Sequence, residues 1–172
     1  MFKEFLNPQE ILEKLDLKES MAAVDFGCGS GGWAIPLAKI LNKGRVYAID
    51  VLEEPLSALR GRAKMEGLVN IITQRADVEK GTKLPNFSVD LVLMTNLLFQ
   101  VDDKKPVFEE AKRVLKPSGR LLVVDWKKTG PFGPKDKVSA EEVRKIAEEC
   151  GFKMEEEFNT GKYHFALIFV KI

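Results

Sequence analysis

The segment Val24-Asp25-Phe26-Gly27-Cys28-Gly29-Ser30-Gly31-Gly32-Trp33 constrains this chain more than any other. The apolar run Ala22 to Phe26 reads as a buried strand. It breaks into a turn with glycine at 27, 29 and 31, and a helix follows from Trp33 to Leu41. Glycines at alternate positions let backbone approach a ligand with no Cβ in the way. Strand, glycine turn and helix in that order are the opening unit of an open α/β sheet.

The same alternation continues. Arg45–Asp50 reads as a strand, Glu53–Glu66 as a helix stopped by Gly67, and Asn70–Arg75 as a third strand. Val78–Phe87, with Gly81 and Pro85, reads as a loop, and Val89–Thr95 as the fourth strand. Lys104–Leu115 places Val107, Phe108, Ala111, Val114 and Leu115 at helical spacing. Lys116–Gly119 is a turn into a fifth strand, Arg120–Trp126. After a Gly/Pro loop, Lys127–Lys137, Ser139 with Glu142 caps a helix that Gly151 ends. Two more strands, Phe152–Phe158 and Tyr163–Lys171, flank the turn Asn159–Lys162. Alternation predicts a parallel sheet with helices on both faces. The last connection is too short for a crossover, so the final strand is antiparallel.

At 172 residues the chain reads as one domain, 1–172, with residues 1–20 as an N-terminal helical extension. Asn7-Pro8-Gln9-Glu10 is its helix start, and Ile11, Leu12 and Leu15 are its apolar stripe. That helix could cover a ligand or simply pack on the sheet. Lys+Arg is 27 against Asp+Glu 26, which removes the bulk electrostatic argument for a nucleic-acid partner. Lys127, Lys128, Lys135 and Lys137 form a local basic run, read as a solvated loop. No apolar run approaches the ~18 residues of a membrane span. Met1–Leu6 carries an acid and lacks the apolar core of a signal peptide. Cys28 and Cys150 are too few for a disulfide framework, so a reduced, cytoplasmic setting is expected. With His164 as its single histidine, the chain has no His-rich metal site, and no metal is expected. Abundant Lys and Glu with only Gln9, Gln74 and Gln100 lean towards a thermophilic source.

The chemistry concentrates around the glycine turn. Asp50 ends the second strand about 20 residues on, where an acid can accept hydrogen bonds from ribose hydroxyls. The plainer alternative is a structural turn with Asp50 capping a helix. Gly27-x-Gly29-x-x-Gly32 formally fits the dinucleotide fingerprint, so NAD competes for the site. Asp25 opposes it: a carboxylate beside a pyrophosphate repels, whereas it suits a cationic or amine-bearing ligand.

With these residues in view, Val24 to Gly31 resembles motif I of the class I S-adenosylmethionine-dependent methyltransferases. Asp50 matches their ribose-binding acid, and Ala76-Asp77-Val78 their adenine-contacting segment. Thr95-Asn96-Leu97-Leu98-Phe99 is similar to their motif IV region, and Leu115–Leu121 to the turn into strand five. The resemblance runs from about Ala22 to the end. It implies a Rossmann-like three-layer sandwich with a seven-stranded, mostly parallel sheet and an antiparallel last strand. It also implies S-adenosylmethionine as cofactor and S-adenosylhomocysteine as product, with no metal. Gly27, Cys28, Gly29 and Gly31 would line the methionine part, with Asp25 near its amino group. Asp50 would hold the ribose and Val51 pack on the adenine. Asp77 would accept from the adenine amino group, Ala76 and the Val78 backbone would border the ring, and Asn96 would close the site near the methyl. Asp77 could instead cap its loop, and Cys28 reads as a small residue filling a tight turn.

The implied reaction is direct in-line methyl transfer, in which positioning supplies much of the catalysis. Strand four ends without the Asn/Asp-Pro-Pro-aromatic signature, against an adenine-N6 or glutamine acceptor. No cysteine lies at strand four or five, against a cytosine-C5 type. A small-molecule acceptor is expected, with Phe99, Trp126, Lys127, Tyr163 and His164 as candidate pocket residues and no catalytic base named. An RNA or protein methyltransferase, an NAD-dependent oxidoreductase and a non-catalytic cofactor-binding module stay open at this level. So does the oligomeric state.

Overall fold

The computed structural model describes residues 6–172. Met1–Phe5, part of the segment read above as lacking a signal-peptide core, lies outside the described residues. Seven strands form one sheet: β1 Ala22–Phe26, β2 Arg45–Asp50, β3 Ile71–Arg75, β4 Val89–Thr95, β5 Leu115–Trp126, β6 Phe152–Thr160 and β7 His164–Lys171. Their order is β3-β2-β1-β4-β5-β7-β6. β1 to β5 pair in parallel, and β7 is antiparallel to both β5 and β6. This is the predicted α/β architecture, a seven-stranded, mostly parallel Rossmann-like sheet with one antiparallel strand.

Among the described residues, five α-helices cover the sheet: α1 Pro8–Glu13, α2 Ala34–Ile40, α3 Glu53–Met65, α4 Lys104–Val114 and α5 Ala140–Glu149. Strand alternation sends successive side chains to opposite layers. Val24, Met94 and Val123 pack with Phe108 of α4 and Val143 of α5. Ala23, Leu93 and Val124 pack with Leu12 of α1, Leu37 of α2 and Leu59 of α3. The apolar stripe Ile11, Leu12 and Leu15 is buried in that second layer, and Asn7 caps α1 through the Gln9 amide at 3.1 Å.

Most boundaries agree within a residue of the sequence reading, and the two turns leading into β5 and β7 differ more. The expected turn Lys116–Gly119 is absorbed into β5: Leu115 pairs with Val89, and pairing resumes with Arg120 opposite Leu91. The extra residues are taken up as a bulge, with Ser118 at φ +61°. At the last hairpin the ladder continues through Asn159↔Phe165 and Thr160↔His164. The turn therefore narrows to Gly161–Tyr163, and Tyr163 leaves the strand.

Strand order reverses between β1 and β4, since β2 and β3 lie on one side of β1 and β4 to β6 on the other. Loops leaving the carboxyl ends of β1 and β4 diverge there and open a crevice, the position at which open α/β sheets bind ligands.

Candidate cofactor and acceptor site

The turn after β1 is tied to the end of β2. The amides of Gly27 and Cys28 both donate to the Ile49 carbonyl, at 2.8 and 2.9 Å. Gly27 has φ +72°, and a Cβ there would stand 2.7 Å from Leu97 Cδ1. Gly31 has φ +98°, and its Cβ would fall 2.3 Å from Leu59 Cδ1. Gly31 is thus a packing position behind the turn. Gly31→Ala is expected to cost about 3 kcal/mol, combining overpacking with left-handed strain. Urea unfolding checks this as a lower midpoint.

Asp50 is held by two backbone amides: Oδ2 accepts from Gly29 at 3.0 Å, and Oδ1 from Leu52 at 3.0 Å. Each oxygen keeps a further lone pair. Beyond it lies a cavity of about 420 Å³, within the range of small-molecule sites. Gly27, Gly29, Asp50 and Val51 line one side of it, and Ala76, Asp77 and Val78 another. The Ala76 amide donates to the Asp50 carbonyl at 3.0 Å, bringing the ends of β2 and β3 together. Asp77 Oδ1 accepts from the Glu79 amide at 3.0 Å, and Oδ2 lies 3.5 Å from Lys80 Nζ. Asp77 therefore both caps its loop and borders the cavity.

Asp25, Cys28, Gly31 and Asn96 do not line that cavity. Asp25 is fully buried, and neither of its oxygens has a hydrogen-bond partner. Burial, with the Asp50 charge adding to it, pushes its carboxyl up to about 8. Burial also pushes the Cys28 thiol up, with Asp25 and Asp50 adding to it, so Cys28 is a packing residue rather than a thiolate. Asn96 sits just past β4 at φ +51°, its amide bonded to the Val124 carbonyl at 2.8 Å. Its side-chain Oδ1 is buried and without a partner.

Several residues were not singled out from sequence. Leu97, Gln100 and Val101, in and around the 3-10 turn Leu98–Gln100, border the cavity. Leu97 lies within the segment similar to motif IV, and the only sequence signal for Gln100 and Val101 is that they follow it. Asp125 is fully buried; its Oδ2 accepts from the Leu98 amide at 3.1 Å and its Oδ1 from the Trp126 amide at 2.8 Å. It pins the segment after β4 to the end of β5, and burial raises its carboxyl to about 6. A lone acid within Leu121–Trp126 was the available sign.

Four of the candidate acceptor residues gather where β5 ends and β7 begins. The Trp126 and His164 rings lie 4.2 Å apart, and the Lys127 amide donates to the Tyr163 carbonyl at 2.8 Å. The Lys127–Lys137 loop folds against them. Phe132 meets Tyr163 edge-on at 5.2 Å, and a Cβ at Gly133 would fall 2.6 Å from the Trp126 ring. None of these four candidates lines the cavity beside Asp50, nor does Phe99, which sits apart from them, half-buried in the 3-10 turn. Most of the basic run is tied into the fold. Lys128 pairs with Glu142 at 3.0 Å, Lys137 donates to the Gly130 carbonyl at 2.8 Å, and Lys127 to the Lys162 carbonyl at 3.4 Å. Among the described residues, no cluster of three or more His, Cys, Asp or Glu side chains is arranged to hold a metal. No helix among them is long and apolar enough to cross a membrane.

These residues fit the cofactor that the sequence motifs suggest. The cavity offers Asp50 lone pairs and an apolar floor, and the orphaned Asp25 carboxylate suits a cation rather than a pyrophosphate.

A family described as a methyltransferase domain matches residues 24–123. The chain is 31% identical to an S-adenosylmethionine-dependent methyltransferase from Aquifex aeolicus, whose crystal structure matches it with a TM-score of 0.91. That likeness covers 98% of this chain and 92% of the other. The chain is 28% identical to the demethylmenaquinone methyltransferase of Geobacillus kaustophilus over 126 residues, 73% of this chain and 53% of that protein. It is 32% identical to the ubiquinone/menaquinone biosynthesis C-methyltransferase of Vibrio vulnificus over 117 residues, 67% of this chain and 44% of that protein. The chain thus spans about half the length of the curated relatives it matches. By sequence through the glycine turn and the central strands, and by fold over nearly its whole length, this chain belongs to the S-adenosylmethionine-dependent methyltransferases.

Proposed function

We infer that this chain, acting as one domain, catalyses direct methyl transfer from S-adenosylmethionine to a small-molecule acceptor. The observation that carries this reading is the cavity at the switch point with Asp50 fixed at its wall. When bound, the cofactor supplies a methyl group activated by a sulfonium leaving group. Asp50 holds the ribose hydroxyls with the lone pairs its two backbone bonds leave over. Val51 packs on the adenine, beside Ala76 and Val78, and Asp77 accepts from the exocyclic amine. Asp25 takes the cofactor's ammonium, a cation that would satisfy both of its orphaned oxygens. Gly27 keeps Leu97 close to the turn, so that the backbone of Gly27 to Gly29 can approach the cofactor. Asn96 closes the methionine end. The acceptor enters from the β5 and β7 side, and Gln100, Leu97 and Val101 exclude water from the adenosine half.

The named relatives methylate demethylmenaquinone or act in ubiquinone and menaquinone biosynthesis. Quinol-type rings are therefore the first acceptors to assay. The lysines of the 127–137 loop are largely engaged within the fold, which favours this reading over a nucleic-acid acceptor.

Calorimetry tests the cofactor. S-adenosylhomocysteine is expected to bind and NAD not to. Asp50→Ala should weaken S-adenosylhomocysteine by about 1–3 kcal/mol, the scale of hydrogen bonds lost to a charged group. An unchanged affinity would remove Asp50 from the ribose site, and tight NAD binding without S-adenosylhomocysteine binding would overturn the function.

A further inference from the structure

Buried polar atoms without a partner in the protein are few in native folds, and each calls for an explanation, a catalytic role among them. Among the described residues, such side-chain atoms belong to three residues: Asp25, Asn96 and His164. They are not scattered. Asp25 ends β1, Asn96 follows β4, and His164 starts β7, which runs antiparallel, so all three lie at the same edge of the sheet. Ala23 and Ala166, each two residues from Asp25 and His164, are buried in one layer, so strand alternation directs both side chains to that layer. Asn96 stands between them. Its amide is bonded to Val124, two residues short of the Trp126 that pairs with His164, about 7 Å along the strand.

His164 is 6% exposed, and both ring nitrogens are buried and unbonded. A histidine kept only for packing would bond at least one nitrogen to the protein, because each unpaired one costs about 1–3 kcal/mol. Its ring instead packs at a tilt of 42° against Trp126, whose ring is in turn held by the close approach of Gly133. Burial, with the charge of Lys127 adding to it, holds the imidazole below its usual range, so that it is unprotonated at neutral pH and its free nitrogen can accept a proton.

We propose that His164 is the proton acceptor of the acceptor half of the site, and that the acceptor is a small molecule with an acidic hydroxyl, of phenolic or enolic type. This rests on the methyl-transfer reading above and names the substrate chemistry of that site. The hydroxyl O–H bond breaks and its proton passes to the imidazole. The electron pair left on the acceptor oxygen forms the O–C bond to the methyl carbon while the S–C bond breaks on to sulfur, leaving a neutral ether and a neutral thioether. The imidazolium then returns its proton to water. The row Asp25, Asn96, His164 thus follows the order of the reaction, with the cofactor's charged end at β1 and the acceptor's proton at β7.

The test uses 4-nitrophenol as the probe and the full chain saturated with S-adenosylhomocysteine. His164 is the only histidine, so ring-15N-histidine labelling yields one set of ring signals. The ring signals are expected to shift saturably as the phenol is added. The yellow phenolate band should exceed that of the same phenol in buffer at the same pH. In His164→Gln the extra phenolate should vanish, while S-adenosylhomocysteine affinity stays within about twofold. Ring signals that do not move up to the solubility of the phenol, or a phenolate band equal in wild type and His164→Gln, would overturn the proposal. The wild-type NMR arm stands even if the variant fails to fold. If wild type does not bind S-adenosylhomocysteine at all, the methyl-transfer reading fails first, and separately.

Discussion

S-adenosylhomocysteine is expected to bind about tenfold more tightly with each pH unit between about 6 and 8, releasing a proton as it binds. The cause is Asp25. Its carboxyl titrates at about 8 in the ligand-free protein, because burial, and then the charge of Asp50, disfavour the anion. At neutral pH it is therefore mostly protonated, and it must ionise to meet an ammonium group. Calorimetry in buffers of different ionisation enthalpy should count close to one proton released per site at about pH 7. A flat pH profile with no proton release would show that Asp25 does not face the cofactor's charge.

The same residue sets an opposite trend in stability. Its folded pKa lies above the ordinary 3.8, so its contribution is fully present below about pH 4 and is lost as pH rises through about 8. Asp25→Asn keeps the neutral shape and removes the titration. At about pH 8 the ligand-free variant should be more stable than wild type, by on the order of 4 kcal/mol. It should also bind S-adenosylhomocysteine more weakly. Gain in stability with loss of binding is the signature of a group strained for function. Loss of both would mark a structural role instead.

Arg113→Ala should destabilise the fold by about 3 kcal/mol, the scale of leaving a buried charge without its partner. Glu110 is only 8% exposed. Its Oε1 accepts from the Thr82 amide at 2.7 Å, the Thr82 hydroxyl at 2.6 Å and Arg113 Nη2 at 2.6 Å, and its Oε2 from Arg113 Nε at 2.8 Å. Burial alone would raise this carboxyl. The hydrogen bonds from Arg113 and Thr82 outweigh it and hold the group below its usual range. Stability from Glu110 is thus present above its ordinary 4.5 and is lost as pH falls below it, the reverse of Asp25. The cluster pins the loop that leaves the cavity at Val78 and Glu79, so cofactor affinity should fall as well. Arg113→Lys should not restore stability, because a lysine cannot make the two-pronged contact. Replacing Glu110 and Arg113 together by leucine should cost less than Arg113→Ala, since no charge is then stranded. Urea midpoints at unchanged slope measure all three, and a double variant no better than the single would defeat the stranded-charge explanation.

Much of the cavity wall was legible in the sequence. Gly27, Gly29, Asp50, Val51 and the Ala76–Val78 segment were assigned to one site, and they line one cavity. They were readable because a glycine turn, an acid ending the next strand and a short polar run after the third are local signals. Gly31 was read as a ligand contact but packs on Leu59 and Ile35, a distinction that depends on α3 some 30 residues away. Asp77 caps its loop and also borders the cavity, which one residue can do because a carboxylate has two oxygens. Asp125 and Glu110 were missed as anchors. Each is a single acid in an otherwise ordinary element, and the partner that makes it an anchor, Leu98 for Asp125 and Thr82 for Glu110, lies 27 and 28 residues away in sequence.

The sequence by itself determined the alternation of strands and helices, the antiparallel last strand and the position of the cofactor turn. These follow from hydrophobic period, chain reach and backbone torsion, which act over a few residues. Only the tertiary structure decided the strand order, the bulge inside β5 and the three orphaned polar side chains at one sheet edge. Burial and hydrogen-bond satisfaction are sums over residues far apart in the chain. The same aspartate or histidine therefore reads identically in sequence whether it is capped, solvated or left waiting for a ligand.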